Sequence, residues 1–278
     1  MSKPIKAAVI GHPISHSKSP LIHNYWIEQG GLNGSYEAID IAPENLKEGV
    51  QKLIDEGYAG FNVTIPHKEA IMDLCDDIDH NAAACGAVNT VVIEESGKLR
   101  GLNTDSFGFL TNIKSTSPDF DFEAGAAVVI GAGGAARAVV SGLIGQRIPE
   151  VILVNRTKSR AEKIAQDIGL GTDLVEVIDW EERHEALQWA NLVVNASSLG
   201  MKDQPELDLN LDALSADVLV NDIVYNPLQT QLLKNASDRG NPTVTGIGML
   251  LHQARPAFLE WFGTMPDVDD TLETLILK

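Results

Sequence analysis

Gly131, Gly133 and Ala136 stand at the spacing G-x-G-x-x-G/A, directly after a β-branched run at 128–130. That order predicts a strand, a tight turn and a helix. The first glycine permits the turn and the second lets backbone come close to a pyrophosphate. The small third residue lets the helix pack on the strand, with its N-terminus facing the anion. The chemistry would be dinucleotide binding, but such turns also occur with no ligand. The next strand, 151–154, runs into Asn155, Arg156, Thr157, Lys158, Ser159 and Arg160. Asn155 lies 24 positions past Gly131, where an NAD-preferring fold has an acidic residue for the ribose 2′-hydroxyl. None of these six residues is acidic, and Arg156, Lys158 and Arg160 cluster. Guanidinium forks suit a 2′-phosphate, which a carboxylate would repel. The plainer reading is a solvated helix start; with the glycines in place, NADP(H) is favoured.

Other residues that could do chemistry lie in the first third of the chain. The loop at 11–20 (GHPISHSKSP) carries Ser15 and Ser17, two hydroxyl donors for one anion. Ordinary helix capping is the alternative use, and Ser19 before Pro20 already supplies it. His12 and His16 are four apart, but Pro13 argues against one continuous helix and no nearby carboxylate completes a metal triad, so no metal is expected. Lys68 follows Pro66, which suits the first position of a helix reaching about Leu74. Lys68 would then sit in the first turn, where the helix dipole disfavours an ammonium; an ordinary surface lysine is the commoner case. Asp105 closes Asn103-Thr104-Asp105 ahead of a helix from about Ser106, and locally it could be a simple N-cap.

These residues need elements to position them. Strands are expected at 5–10, 36–41, 61–65, one led into by 86–92, and at 98–103, the last two pairing. Helices are expected from Pro20 to about Gln29 and from Pro43 to about Glu56. After a break near Ser115, Ser117 and Pro118, strands read at 126–130, 151–155, 174–178, 191–195, 218–221 and 243–245. Their alternation with helices predicts βαβ units and a parallel sheet. The stretches 195–201 and 222–227 follow the fourth and fifth of these strands and should face the same crevice as the glycine turn. Helices at about 249–262 and 267–276 end the chain.

Composition sets the class. A chain of 278 residues makes one or two domains and buries about 75% of its unfolded surface. The 39 acidic and 21 basic residues give a net charge of −18, which disfavours nucleic acid and anionic membrane as partners. Cys75 and Cys85 show no C-x-x-C spacing, so both thiols are expected buried in a reducing compartment. No signal peptide is visible and no apolar run approaches the ~20 residues of a membrane span. The chain is read as cytoplasmic.

Taken together, these stretches resemble the shikimate dehydrogenase family over nearly the whole length. The resemblance rests on 11–20, on Asn62-Val63-Thr64-Ile65-Pro66-His67-Lys68, on Gly86-Ala87-Val88-Asn89-Thr90, on Asn103-Thr104-Asp105, on Gly248-Met249 with Gln253, and on the pair GAGGAAR and NRTKSR. It implies an α/β enzyme of two domains: an N-terminal α/β substrate domain at 1–105, completed by C-terminal helices at 248–278, and a Rossmann-type doubly wound parallel sheet at 106–247. The activity implied is reversible NADPH-dependent reduction of 3-dehydroshikimate to shikimate, within aromatic amino-acid biosynthesis.

Carried over by position, Ser15 and Ser17 would hold the substrate carboxylate, and Thr64, Asn89, Tyr225 and Gln253 would surround the ring hydroxyls. Lys68 and Asp105 would be the catalytic pair, also touching substrate. Gly131, Ala132, Gly133, Gly134 and Ala135 would form the pyrophosphate turn, and Asn155, Arg156, Thr157 and Arg160 the adenosine-phosphate side. Ile223, where the family often has Met, and Gly246 would offer backbone to the nicotinamide. The small-molecule substrate is the expected partner, in a monomer or homodimer. Three alternatives stay open: a quinate/shikimate or aminoshikimate dehydrogenase of the same superfamily, a non-catalytic ligand-sensing relative, and a Rossmann oxidoreductase of another substrate.

Overall fold

The computed structural model describes residues 3–168 and 173–278. In chain order the first elements are β1 (Ile5–Gly11), α1 (Ser19–Gln29), β2 (Gly34–Asp40), a 3₁₀ turn (Pro43–Asn45) entering α2 (Leu46–Asp55), β3 (Gly60–Val63), a 3₁₀ helix (Ala70–Leu74), β4 (Asp77–Ile78), α3 (His80–Cys85), β5 (Thr90–Ile93) and β6 (Leu99–Leu102). Then follow α4 (Asp105–Thr116), β7 (Ala126–Ile130), α5 (Gly134–Gly145), β8 (Val151–Val154), α6 (Lys158–Ile168), β9 (Val175–Ile178), 3₁₀ helices at Trp180–Arg183 and Glu185–Trp189, β10 (Ala190–Asn195), β11 (Leu219–Asp222), α7 (Gln231–Asp238), β12 (Thr243–Val244), α8 (Ile247–Phe262) and α9 (Asp270–Leu277). The chain divides into two compact units, one of residues up to Thr104 with Leu251–Lys278, the other Asp105–Leu250.

The first unit holds a mixed sheet in the order β2-β1-β3-β5-β6-β4. β1 is parallel to β2 and β3, while β3–β5 and β5–β6 are antiparallel. Alternation along β1 sends Ala8 and Ile10 to one face, where they pack with Phe61, Val63 and Val91 against Leu46, Val50 and Leu53 of α2. An aromatic cluster forms elsewhere in the unit. His23 stacks on Tyr36 with centroids 4.1 Å apart, and Phe258 and Trp261 of α8 lie within 5.9 and 5.7 Å of it. The indole N–H of Trp261 donates to the Val91 carbonyl at 3.2 Å, so α8 is stitched to β5.

The second unit is an all-parallel sheet in the order β12-β11-β10-β7-β8-β9. Its strands are apolar on both faces, as a sheet covered on two sides requires. Val129, Leu153 and Val194 pack with Phe109, Val139 and Ile164 on one side. Val128, Ile152 and Val220 pack with Leu187, Leu211 and Leu233 on the other. The strand order reverses between β7 and β10, and that switch point is where such sheets bind ligands.

Several local expectations need correction. Lys18, not Ser19, is the N-cap of α1, and no side chain caps it; Ser17 Oγ instead accepts from the Ser19 amide at 3.3 Å. β3 stops at Val63, and no helix begins at Pro66. The His67 amide bonds to the Thr64 carbonyl and the Lys68 carbonyl accepts from Val88, so residue 68 is tied to the segment before β5 rather than to a helical neighbour. The helix there is a 3₁₀ turn starting at Ala70, so the expected helix dipole does not act on Lys68. Asp105 is the first residue of α4 rather than a cap before it. Cys85 is buried but Cys75 only partly so. Among the described residues, no helix is long and apolar enough to cross a membrane.

Candidate active site

The first unit gathers one set of the expected residues. The loop after β1 is held by Asp40 at the end of β2. Its carboxylate takes His12 Nδ1 at 2.7 Å and the Ile14 amide at 3.1 Å. The bond from His12, ahead of the Ile14 amide, draws the Asp40 carboxyl below its ordinary range. The Ser17 amide then bonds to the Ile14 carbonyl at 3.0 Å, which fixes a turn that carries exposed Ser15 and half-buried Ser17. Thr64 lies against the end of β1: a Cβ on Gly11 would sit 2.5 Å from its methyl group, so glycine there permits the approach.

Lys68 is half-buried, and its turn is pinned by a residue that sequence reasoning missed. His67 is 1% exposed, and its Nε2 meets the Ile41 carbonyl at 2.7 Å. Histidine within a family motif gave no sign of which carbonyl it would reach.

Asn89 is buried at 2% exposure, and its carboxamide is fully oriented. Oδ1 accepts from the Thr104 amide at 2.9 Å and Thr90 Oγ1 at 3.0 Å, while Nδ2 donates to Thr104 Oγ1 at 3.0 Å. Nδ2 also donates to Gln253 Oε1 at 3.1 Å, across 164 positions. Asn62 supports this from below, donating to the Asn89 carbonyl and to Thr90 Oγ1, and accepting from the Tyr36 hydroxyl at 2.6 Å.

In the second unit the glycine turn lines a cleft of about 300 Å³ with Asn155, Arg156, Arg160 and the loop after β10. Gly131 has φ +118°, and a Cβ there would lie 2.8 Å from the Ala196 backbone, so only glycine fits. Gly133 differs: a Cβ there would meet nothing within 4 Å. The chain does not demand glycine at 133, and the open space in front of it suits a ligand that needs close backbone approach. Ala132 shares the cleft wall; Gly134 and Ala135 open α5, and Ala136 is fully buried.

Arg156 and Arg160 line the cleft, and among the described residues its wall holds no Asp or Glu. Lys158, the middle cation of the expected cluster, is turned away: Nζ pairs with Asp179 at 2.8 Å, and that bond raises its pKa. Thr157 is exposed and lies outside the wall; its carbonyl accepts from Asn155 Nδ2 at 2.9 Å. Trp180, which periodicity did not single out, is a wall residue.

The loops beyond β10 and β11 are held by buried Asp222, also missed. It accepts from Asn195 Nδ2 at 3.0 Å, the Val224 amide at 3.0 Å and Thr230 Oγ1 at 2.7 Å. Burial pushes its carboxyl up, against those bonds. Asn195 Oδ1 in turn accepts from Ser197 Oγ at 2.7 Å, which ties 195–199 to the cleft as expected. Ile223 and Gly246 meet: a Cβ on Gly246 would overlap the Ile223 carbonyl. Tyr225 is half-buried nearby in sequence, and burial raises its phenol pKa. Asp105 is 5% exposed, and its neighbour Ser106 clamps α4 to α5 by donating to the Ala138 carbonyl at 2.7 Å.

Comparison with known proteins identifies the family. Residues 9–91 match the shikimate dehydrogenase substrate binding domain, 114–201 the shikimate / quinate 5-dehydrogenase family, and 246–276 the shikimate 5′-dehydrogenase C-terminal domain. The chain is 49% identical over 272 residues to shikimate dehydrogenase (NADP(+)) of Paramagnetospirillum magneticum, covering 98% of each. It superposes on shikimate 5-dehydrogenase of Thermus thermophilus, solved with NADP(H) and shikimate, at TM-score 0.85, 36% identity and 98% coverage of both chains. It also superposes on quinate dehydrogenase of Corynebacterium glutamicum, solved with NAD, at TM-score 0.92, 32% identity and 99% coverage of both. The chain belongs to the shikimate dehydrogenase family.

Proposed function

We propose that this chain catalyses the reversible NADPH-dependent reduction of 3-dehydroshikimate to shikimate. The observation that carries the reading is the cleft of the second unit: a glycine turn open at Gly133, with Arg156 and Arg160 beside it and no carboxylate in the wall. Those features fit a dinucleotide with a 2′-phosphate. Gly131, Ala132, Gly133, Gly134 and Ala135 would hold the pyrophosphate, Asn155, Arg156, Thr157 and Arg160 the adenosine phosphate, and the backbone at Ile223 and Gly246 the nicotinamide. NADPH supplies the hydride when bound.

The residues of the chain do the rest. Ser15 and Ser17 donate to the substrate carboxylate. Thr64, Asn89, Tyr225 and Gln253 bond the ring hydroxyls, a reading supported by the hydrogen bond that holds Asn89 and Gln253 side by side. Lys68 gives a proton to the oxygen that becomes the alcohol and takes one back in the reverse direction. Asp105 is its carboxylate partner in that step. In this reading residues 1–105 with 248–278 are the substrate domain and 106–247 the NADP domain. The acidic balance and the two cysteines support a cytoplasmic enzyme that acts on a small molecule.

A second reading is quinate oxidation with NAD, favoured by the likeness to the Corynebacterium enzyme. Initial rates with shikimate and quinate, each with NADP and NAD, separate the two. Shikimate with NADP should be the fastest pair. Quinate with NAD as the fastest pair would reverse the assignment, and no turnover with any pair would favour a ligand-sensing relative.

A further inference from the structure

The indole of Trp180 borders the cleft that holds Gly131, Arg156 and Arg160. Its position is set from behind. Arg183 lies with its guanidinium carbon 4.6 Å from the ring centroid. That arginine is only 8% exposed, and it is held in place by three bonds: to the Trp180 carbonyl at 2.9 Å, and to the carbonyl and carboxylate of Asp208 at 2.9 and 2.8 Å. The ring is therefore a rigid apolar wall backed by a fixed cation, and it packs in part against the Val128 and Ile152 core.

The neighbours define what such a wall can bind. Arg156 and Arg160 are the cleft's cations, placed for an anionic group. A flat aromatic surface in the same cleft suits a planar heteroaromatic ring attached to that anion. We propose that Trp180 is a binding residue for the adenine ring of the 2′-phosphorylated cofactor, and that affinity on this side of the dinucleotide is shared between the Arg156–Arg160 pair and the indole. The inference rests on the dinucleotide reading above and adds a contact to it. Arg183 is the positioning residue that holds the indole against the cleft.

The test uses the full-length protein and 2′,5′-ADP, a fragment that carries the adenine and the 2′-phosphate and lacks the nicotinamide. Binding should quench part of the tryptophan emission of the wild type. Trp180→Phe, which keeps a ring, should bind with little loss but without the quench, while Trp189→Phe, at an indole 65% exposed and outside this cleft, should quench like the wild type. Trp180→Ala should weaken 2′,5′-ADP and raise the KM for NADP by about 5- to 150-fold, the range for loss of one base–aromatic stack. The KM for shikimate should not move, which a general loosening of the fold would not spare. A quench that persists in Trp180→Phe, or an unchanged affinity in Trp180→Ala, overturns the assignment of the indole and leaves the dinucleotide reading intact. Failure of 2′,5′-ADP to bind the wild type overturns both.

Discussion

Asn89 donates to Gln253 Oε1 at 3.1 Å, so a residue just ahead of β5 and one on α8 near the end of the chain share a single hydrogen bond. The Asn89 carboxamide cannot turn without giving up partners on both of its ends. Both side chains are therefore held in fixed orientations, which suits the hydroxyl-binding role proposed for them.

Gln253→Ala removes the acceptor and leaves an amide proton of Asn89 without it. It also removes the bond proposed from Gln253 to a ring hydroxyl, and a neutral hydrogen bond is worth about 0.5–1.5 kcal/mol, which corresponds to about 2- to 13-fold. We expect the KM for shikimate to rise within that range while the KM for NADP stays within roughly twofold. Steady-state kinetics with each substrate varied in turn would check this. Equal increases for both substrates would mean that the bond serves the fold and not the substrate.

Arg156→Ala should separate the two cofactors. A charge-assisted hydrogen bond is worth roughly 1.5–3 kcal/mol, or about 10- to 150-fold in affinity. That loss should fall on NADPH and spare NADH, because only the former carries a phosphate on the ribose. Titration of both by fluorescence measures it directly. A matching loss for NADH would remove Arg156 from phosphate recognition.

Much of this was legible in the residues. The run 128–140 announced a strand, a glycine turn and a helix, and β7, α5 and the cleft match it because strand and helix periods and the turn requirement at Gly131 are local properties. Partnership was not legible. Nothing near Lys158 says that it would choose Asp179, 21 residues on, over the phosphate side. Lys68 was placed on a helix because Pro66 suits a first turn, but the Val88 amide claims its carbonyl, a contact that no local pattern encodes. Nothing in the sequence singled out Trp180, which the fold places in the cleft wall, and the stretch 222–227 was expected at the crevice without any sign that Asp222 would bond Asn195 and Thr230.

His23 gives the fold an acid sensitivity of its own. The ring is 0% exposed and stacked on Tyr36. Burial lowers its pKa from 6.5 to about 3. The unfolded chain therefore takes up a proton near pH 6.5 and the folded chain does not until about pH 3. Stability is full above pH 6.5 and falls as pH drops through that window, by about 2 kcal/mol at pH 5. His23→Phe keeps the stack and removes the titration. Urea unfolding of both proteins at pH 7 and pH 5 should show the wild type losing about 2 kcal/mol more than the variant. Equal losses would mean that His23 does not govern the acid limb.

Lys68 bears the central claim, that this chain moves a proton to and from the oxygen on the ring carbon that gives or takes the hydride. The most direct measurement is kcat and KM of Lys68→Ala for shikimate with NADP, beside the wild type. Loss of a general acid/base should lower kcat by about 10²–10⁴ and change the KM for shikimate by no more than a fewfold, since Ser15, Ser17, Thr64, Asn89 and Gln253 remain. A variant that keeps near wild-type kcat would contradict the account.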